Sequence, residues 1–196
     1  MSKENPDSLQ TALNKLGFES TLVQNLFLES CTIKYYNKNQ LIFSEDKRNG
    51  MEYILFDGVL HRFNVNEQGE NVTTGFYMDN AVVTPHFART IKGKSIFSLE
   101  ALTASKIAEI PVAVFDSLRC NNPAFASFGQ RVLESELSSS ILTDIGYRSS
   151  TAKERLSLLR KTYPNIENLI PNHIIASYLG ITPVSFSRLR KEYAGK

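Results

Sequence analysis

Hydrophobic positions along this chain change period twice. Residues 8–28 place Leu9, Leu13 and Leu16, then Leu22, Leu26 and Phe27, at helical spacing, with Gly17 between the two groups. From residue 31 to 112 the texture is that of short strands: "CTIKYY", "QLIFSE", "EYILFDGVLHRFNV", "NVTTGFYM", "SIFSLEAL" and "KIAEIPV". The turn signals "DKRNG", "DG", "NEQG" and "KGK" separate them. Strands so short, joined by polar turns, predict an antiparallel sandwich or barrel-like roll of about 80 residues.

After Pro111 the period turns helical again. "VAVFDSLR" predicts a short helix stopped by "CNNP". Residues 123–147 then carry Phe125, Phe128, Val132, Leu133, Leu137, Ile141 and Ile145 on one stripe, with Gln130, Glu134 and Ser138 to Ser140 mostly elsewhere. A helix of about 25 residues is roughly 37 Å long, more than a small roll can cover. Its stripe therefore needs a second surface, and the same helix of a symmetry-related copy is the economical one. A plain core helix is the alternative. "GYRSS" at 146–150 reads as a hinge. Residues 151–162 form a basic amphipathic helix with Leu156, Leu158 and Leu159, ended by Tyr163-Pro164-Asn165.

"IIASYLGITPVSFSRLRK" at 174–191 joins two apolar-periodic runs at Gly180. Two helices crossing steeply at a short turn need a small residue where they touch, here Ala176, and a glycine free to take positive φ, here Gly180. Ile175, Leu179, Ile181, Phe186 and Leu189 would face one core. Thr182 suits an N-cap and Pro183 the first helical position. Ser185, Ser187, Arg188, Arg190 and Lys191 lie off the Phe186/Leu189 stripe. Together with Thr182 they are the candidate DNA contacts. Hydroxyls at a helix start can hold phosphate, and an arginine one turn further in can read a guanine edge. A helical hairpin that only closes a core is the alternative.

Charge sharpens this picture. The net charge of +2 conceals a split: residues 148–196 hold nine Lys and Arg against three Glu, a balance of +6, leaving −4 on the remainder. Such asymmetry points to an anionic partner for the C-terminal piece. At 196 residues and 42% hydrophobic, the chain can form one generous domain or two small ones. No run approaches the roughly 18 apolar residues of a membrane span. The start, "MSKENPDSLQ", lacks the apolar core of a leader peptide, so no membrane association and a cytoplasmic location are expected. Cys31 and Cys120 fit no metal or redox spacing and read as two buried thiols. His61, His86 and His173 are scattered; no metal or other cofactor is expected, and no catalytic constellation marks an enzyme.

A β-roll, a long helix and a C-terminal helix-turn-helix in this order resemble the CRP/FNR family of regulators, over roughly residues 15–193. The resemblance rests on "NQLIFSEDKRNGMEYILFDGVLHRFNVNEQGENVTTGFY", with its internal Gly58, and on "IPNHIIASYLGITPVSFSRLRK". It implies a homodimer that pairs through the long helix, reads two-fold symmetric duplex DNA and has RNA polymerase as a further candidate partner. Three departures qualify it. Members that bind cyclic nucleotides carry a Gly-Glu pair and a later Arg; here these positions hold Thr84, Pro85 and Lys94. Pro85 offers neither an acceptor side chain nor an N–H, and Lys94 lacks the bidentate fork. A response to cyclic AMP is therefore not expected, although Thr84, His86, Arg89 and Lys94 remain candidates for binding some other small effector. Two cysteines cannot ligate an iron–sulfur cluster. The recognition helix starts with Pro183 and Val184 instead of polar readers, and five residues beyond Lys191 leave room for a reduced wing at most.

The expected fold is α+β: an antiparallel, cupin-like β-roll over residues 1–120, a long dimerisation helix over 121–147 and a helix-turn-helix domain over 148–196. The expected function is a homodimeric, sequence-specific transcription regulator. A ligand-independent DNA binder with a scaffold roll, or a protein-interaction module, are the alternatives.

Overall fold

The structure, a computed structural model, describes residues 6–194. Residues 1–5, on which the expectation about a leader rests, and residues 195–196, on which that about a wing rests, lie outside that range. Helices α1 (Pro6–Lys15) and α2 (Thr21–Ser30) lead into β1 (Thr32–Tyr36), β2 (Leu41–Phe43), β3 (Met51–Asp57), β4 (Val59–Val65), β5 (Asn71–Met78) and β6 (Ala81–Val82). A one-turn helix α3 (His86–Arg89) precedes β7 (Thr90–Ile91), β8 (Lys94–Ser95), β9 (Ser98–Ala101) and β10 (Ser105–Pro111). Then come α4 (Val112–Asn121), α5 (Pro123–Ser149), α6 (Ala152–Thr162), α7 (Ile166–Leu169), α8 (Asn172–Tyr178) and α9 (Pro183–Ala194).

Eight of the strands form two antiparallel sheets, ordered β1-β10-β3-β6 and β2-β9-β4-β5, with β7–β8 as a separate hairpin. The run "EYILFDGVLHRFNV" is cut at Gly58, and its halves enter different sheets. Gly58 has φ +105°, and a Cβ there would lie 2.7 Å from the Ala104 carbonyl oxygen. Only glycine allows that corner.

Alternation along the strands sends Leu55, Leu60, Leu99 and Ile107 between the sheets, all fully buried. Ile54, Phe56, Ala108 and Ile110 point outward from the first sheet into a second core, under Leu13, Phe27, Phe125 and Phe128. Phe18 fills its middle, its ring 4.4 Å from that of Phe128 and 5.3 Å from that of Phe125.

Three expectations need correction here. Phe125 and Phe128 are not interface residues: they are 0% and 3% exposed inside the chain's own core. Periodicity marks an apolar face without naming the surface it meets, and the first two turns of α5 meet α1, α2 and the roll. Val132 also packs partly on this core. Gly146 does not break the helix, which continues to Ser149; the break comes at Ser150, after which Thr151 and Glu154 form a capping box for α6. Finally, the thiols are not both buried: Cys120 is exposed on α4, and Cys31 is half-buried, its pKa pushed up to about 11 by burial.

The C-terminal helices share a third core with the roll. Leu156, Leu159, Ile166, Ile170, Ile175, Ala176, Leu179 and Phe186 cluster with Val59, Phe76 and Leu102 from the second sheet.

Phe125→Ala should destabilise the chain by about 3–5 kcal/mol, the usual loss for a buried phenylalanine. Leu137→Ala, on a residue 64% exposed, should stay within about 0.5 kcal/mol at concentrations too low for association. Urea unfolding of both variants checks this, and equal losses would contradict the placement of the two side chains.

Candidate nucleic-acid interface

The turn between α8 and α9 closes as its sequence predicts. Gly180 takes φ +66°, the Ile181 N–H donates to the Ala176 carbonyl and the Gly180 N–H to that of Ser177, each at 3.0 Å. This paired closure satisfies the last carbonyls of α8 and needs a residue at ease in the left-handed region. Ile175, Ala176, Leu179 and Phe186 have no exposed surface, and Ile181 and Leu189 are partly buried beside them. The Ser185 N–H donates to Thr182 Oγ1 at 3.1 Å, and the two hydroxyls lie 3.0 Å apart. Thr182 thus caps α9, and Pro183 occupies its first position.

With one side of α9 buried, the other faces outward. Thr182, Ser185, Ser187, Arg188 and Lys191 are all exposed, as is Val184. Arg190 departs from the expectation. Its Nε lies 3.1 Å from Glu167, its Nη1 donates to Asn172 Oδ1 at 3.1 Å, and its guanidinium sits over the Phe186 ring at 5.8 Å. It clamps α9 to α7 and α8 instead of joining the outward face. Glu167 also takes Arg160 Nε at 2.6 Å. The four-residue α7 has no readable period, so this partner has no signal along the chain.

A second set of contacts fixes the unit in place. Arg155 donates to the Leu179 carbonyl from Nε and Nη2, at 3.2 and 2.9 Å, and to the Ser150 carbonyl at 2.6 Å. Its guanidinium lies 5.5 Å from the Tyr147 ring, whose hydroxyl donates to the Tyr178 carbonyl. On the roll side β5 is an edge strand. The Thr73 N–H donates to Ser177 Oγ at 3.0 Å, the same hydroxyl reaches the Asn71 carbonyl at 3.2 Å, and the Tyr163 hydroxyl reaches that of Phe76 at 3.2 Å. Burial pushes the Tyr147 and Tyr163 hydroxyls up to about 12.

The four residues named for an effector differ in burial and in the partners they meet. Thr84 Oγ1 lies 2.7 Å from the Tyr77 hydroxyl, donates to Glu136 of α5 at 2.7 Å and accepts from Arg62 at 3.0 Å. The His86 N–H donates to Glu52, and His86 Nε2 lies 2.7 Å from the Asn49 carbonyl oxygen. Arg89 is fully buried in the roll, its guanidinium 5.0 Å from the Phe43 ring and 5.1 Å from that of Tyr53, and one nitrogen meets the Met51 carbonyl. Burial lowers its pKa. Lys94 is exposed on the β7–β8 hairpin. The alternation of a strand or turn can place a residue inside or outside, but not beside a particular neighbour across the roll.

No protein-family model matches the chain. It is 25% identical over 167 residues to the regulatory protein HlyX of Actinobacillus pleuropneumoniae, covering 80% of this chain and 69% of HlyX. Among solved structures it superposes on FixK2 from Bradyrhizobium japonicum with a TM-score of 0.72, at 17% identity over 84% of this chain and 85% of that one. A CooA mutant from Carboxydothermus hydrogenoformans gives 0.71 at 16% identity, over 98% and 87%. A transcriptional regulator of the CRP/FNR family from Eubacterium rectale gives 0.68 at 16%, over 94% and 88%. This is the CRP/FNR fold. Within it the outward face of α9 belongs to the second helix of the helix-turn-helix, and α5 is the long connecting helix. Among the described residues no helix is long and apolar enough to cross a membrane.

One titratable group lies close to the attachment on β5. His61 is 3% exposed, its Nδ1 lies 3.2 Å from Thr73 Oγ1, and burial, with a smaller effect from His173, pulls its pKa down to about 4. The folded state thus resists a proton that the unfolded chain accepts below 6.5. Stability should be full above that value and fall as the pH drops toward 4, with His61→Gln flattening the decline. Urea midpoints measured across this range test it; an unchanged slope in the variant would refute the assignment.

Proposed function

We propose that the chain is a homodimeric, sequence-specific DNA-binding transcription regulator of the CRP/FNR type. The single observation that carries this is α9: its inner face is sealed in a core while Ser185, Ser187, Arg188 and Lys191 stand together on the outer one. Four hydroxyls and cations on a capped helix suit phosphate and base-edge contacts, Arg188 as the guanine reader and Ser185 with Thr182 near the backbone. The +6 charge of residues 148–196 supports the same partner. So does the likeness to HlyX, a regulatory protein, and to the Eubacterium rectale transcriptional regulator.

The dimer reading rests on the far half of α5. Leu137, Ile141 and Ile145 are exposed, with Leu133 half-buried at the start of the stripe, and Leu142 adds a further exposed leucine. Pairing two copies along this stripe would bury it and set two recognition helices about 34 Å apart, one helical turn of duplex. Residues 1–120 would then serve as the roll, 121–147 as the dimer helix and 148–196 as the DNA-binding unit. Such a regulator would work in the cytoplasm, with RNA polymerase as the machinery it acts upon.

Cyclic AMP is not its signal in this reading. The Thr84 hydroxyl is engaged by Glu136 and Arg62, Pro85 offers no acceptor, and Lys94 is exposed on a hairpin. One observation favours the second reading, in which the roll is a scaffold: Arg62, Thr84 and Glu136 already tie the roll to α5 without a ligand.

Selection of bound sites from a random duplex library should return two-fold symmetric sequences. Binding should weaken with salt by about 0.9 in log affinity per log salt for each phosphate contact; a flat response would sink the DNA reading. Arg188→Ala should cost about 1–3 kcal/mol on the selected site and much less on random duplex. Equal losses would remove Arg188 as a base reader. Cyclic AMP and cyclic GMP should leave the melting temperature unchanged.

A further inference from the structure

Away from α9, a cavity of about 210 Å³ opens between the outer face of the first sheet and helices α3, α4 and α5. Its walls are mostly apolar: Ile54, Val82, Phe87, Phe115, Phe128 and Val132 line it. Three of these are phenylalanines, one from each of the three helices. The Phe115 and Phe128 rings meet edge to face, with centroids 6.3 Å apart at 82°, and Phe87 is 61% exposed. The cavity lies outside the roll interior and shares none of its lining with the outward face of α9.

Charge at the cavity is balanced. Glu52 and Asp116 line it, as does Arg119, whose Nη2 donates to Asp116 at 3.0 Å. The Arg89 guanidinium is close enough to act on Glu52, which also accepts from the His86 N–H at 3.0 and 3.1 Å. Two carboxylates and two guanidiniums therefore sum to zero at this place. Neither carboxylate calls for a further cation, and neither guanidinium is left over for an anion. Burial raises the Glu52 pKa, which marks the surroundings as poorly hydrated. A ligand with net charge would lose its water there without gaining a counter-charge. An uncharged one loses nothing comparable, and the apolar walls favour it.

We propose that this cavity binds an uncharged aromatic molecule of one or two rings. Size agrees: a dry protein cavity of about 150 Å³ holds benzene, so this one suits on the order of nine non-hydrogen atoms. Rings suit it better than chains, because Phe87, Phe115 and Phe128 can meet a ring in offset or edge-to-face contact. Such contacts are worth about two- to tenfold in affinity beyond the area they bury. The site joins the roll, α3, α4 and the start of α5, so occupancy braces the roll against the long helix. The inference stands without the DNA reading.

The chain contains no tryptophan, so the fluorescence of added indole reports its own surroundings. Titration of indole with the full chain, without DNA, should give a saturable blue shift. Indole-3-acetate (an anion) and tryptamine (a cation) should each bind more weakly than indole by about tenfold or more, read as displacement. Phenol should displace indole better than cyclohexanol by about twofold or more. Phe87→Ala, on an exposed side chain, should weaken indole by about two- to tenfold with the far-UV circular dichroism unchanged. Leu137→Ala, on the open stripe of α5, should leave the affinity unaltered. Absence of a saturable shift overturns the proposal, including the case in which a second copy covers the cavity. Charged comparators that bind as well as indole overturn it too, as does cyclohexanol that matches phenol. So does a loss of affinity in Leu137→Ala, or none in Phe87→Ala. None of these results bears on DNA binding.

Discussion

Each sheet of the roll has an outer face that must be covered, and the whole arrangement follows from what covers it. The first sheet turns Ile54, Phe56, Ala108 and Ile110 outward, and the N-terminal helices with the start of α5 close over them. The second turns out Val59, Phe76 and Leu102, and the C-terminal helices close over those. Phe76 is the centre of the second contact: its ring lies 5.0 Å from Tyr178 and 5.8 Å from Tyr163, and its carbonyl accepts from the Tyr163 hydroxyl. A helix-turn-helix held this way presents only the side of α9 opposite Phe186. The constraint that buries the roll also chooses the face left for a partner.

Local rules were legible in the sequence because they act within a few residues. Ala176, Gly180, Thr182 and Pro183 each constrain the same turn by a separate mechanism, and the structure places all four as those mechanisms require. The strands were legible for the same reason: polar turns and Gly58 set their ends. What could not be read was the choice among surfaces. The stripe along α5 is continuous in sequence, yet its first half is spent on Phe18 and the sheet and its second half is left open. Arg190 looked equivalent to Arg188, and Glu167, twenty-odd residues upstream in a helix too short to show a period, together with Asn172 sets it apart.

Buried cations divide the roll in a similar way. Arg89 lies against two aromatic faces and a backbone carbonyl, and the Glu52 carboxylate supplies an opposite charge. Arg62 instead reaches out of the roll to Glu136, and Gly75 makes that possible, since a Cβ there would lie 2.6 Å from Arg62 Nε. Thr84 joins both ends of that pair. A shift of α5 along its axis would have to break this three-way contact, which gives the long helix a preferred register on the roll.

The hydroxyl of Ser177 has a meaning beyond holding two units together. It occupies the free edge of β5, taking the Thr73 N–H and reaching the Asn71 carbonyl where a neighbouring strand would otherwise pair. An open edge eight residues long is a template for self-association. The C-terminal unit therefore covers part of that edge, and a large swing of the unit away from β5 would leave these backbone groups open.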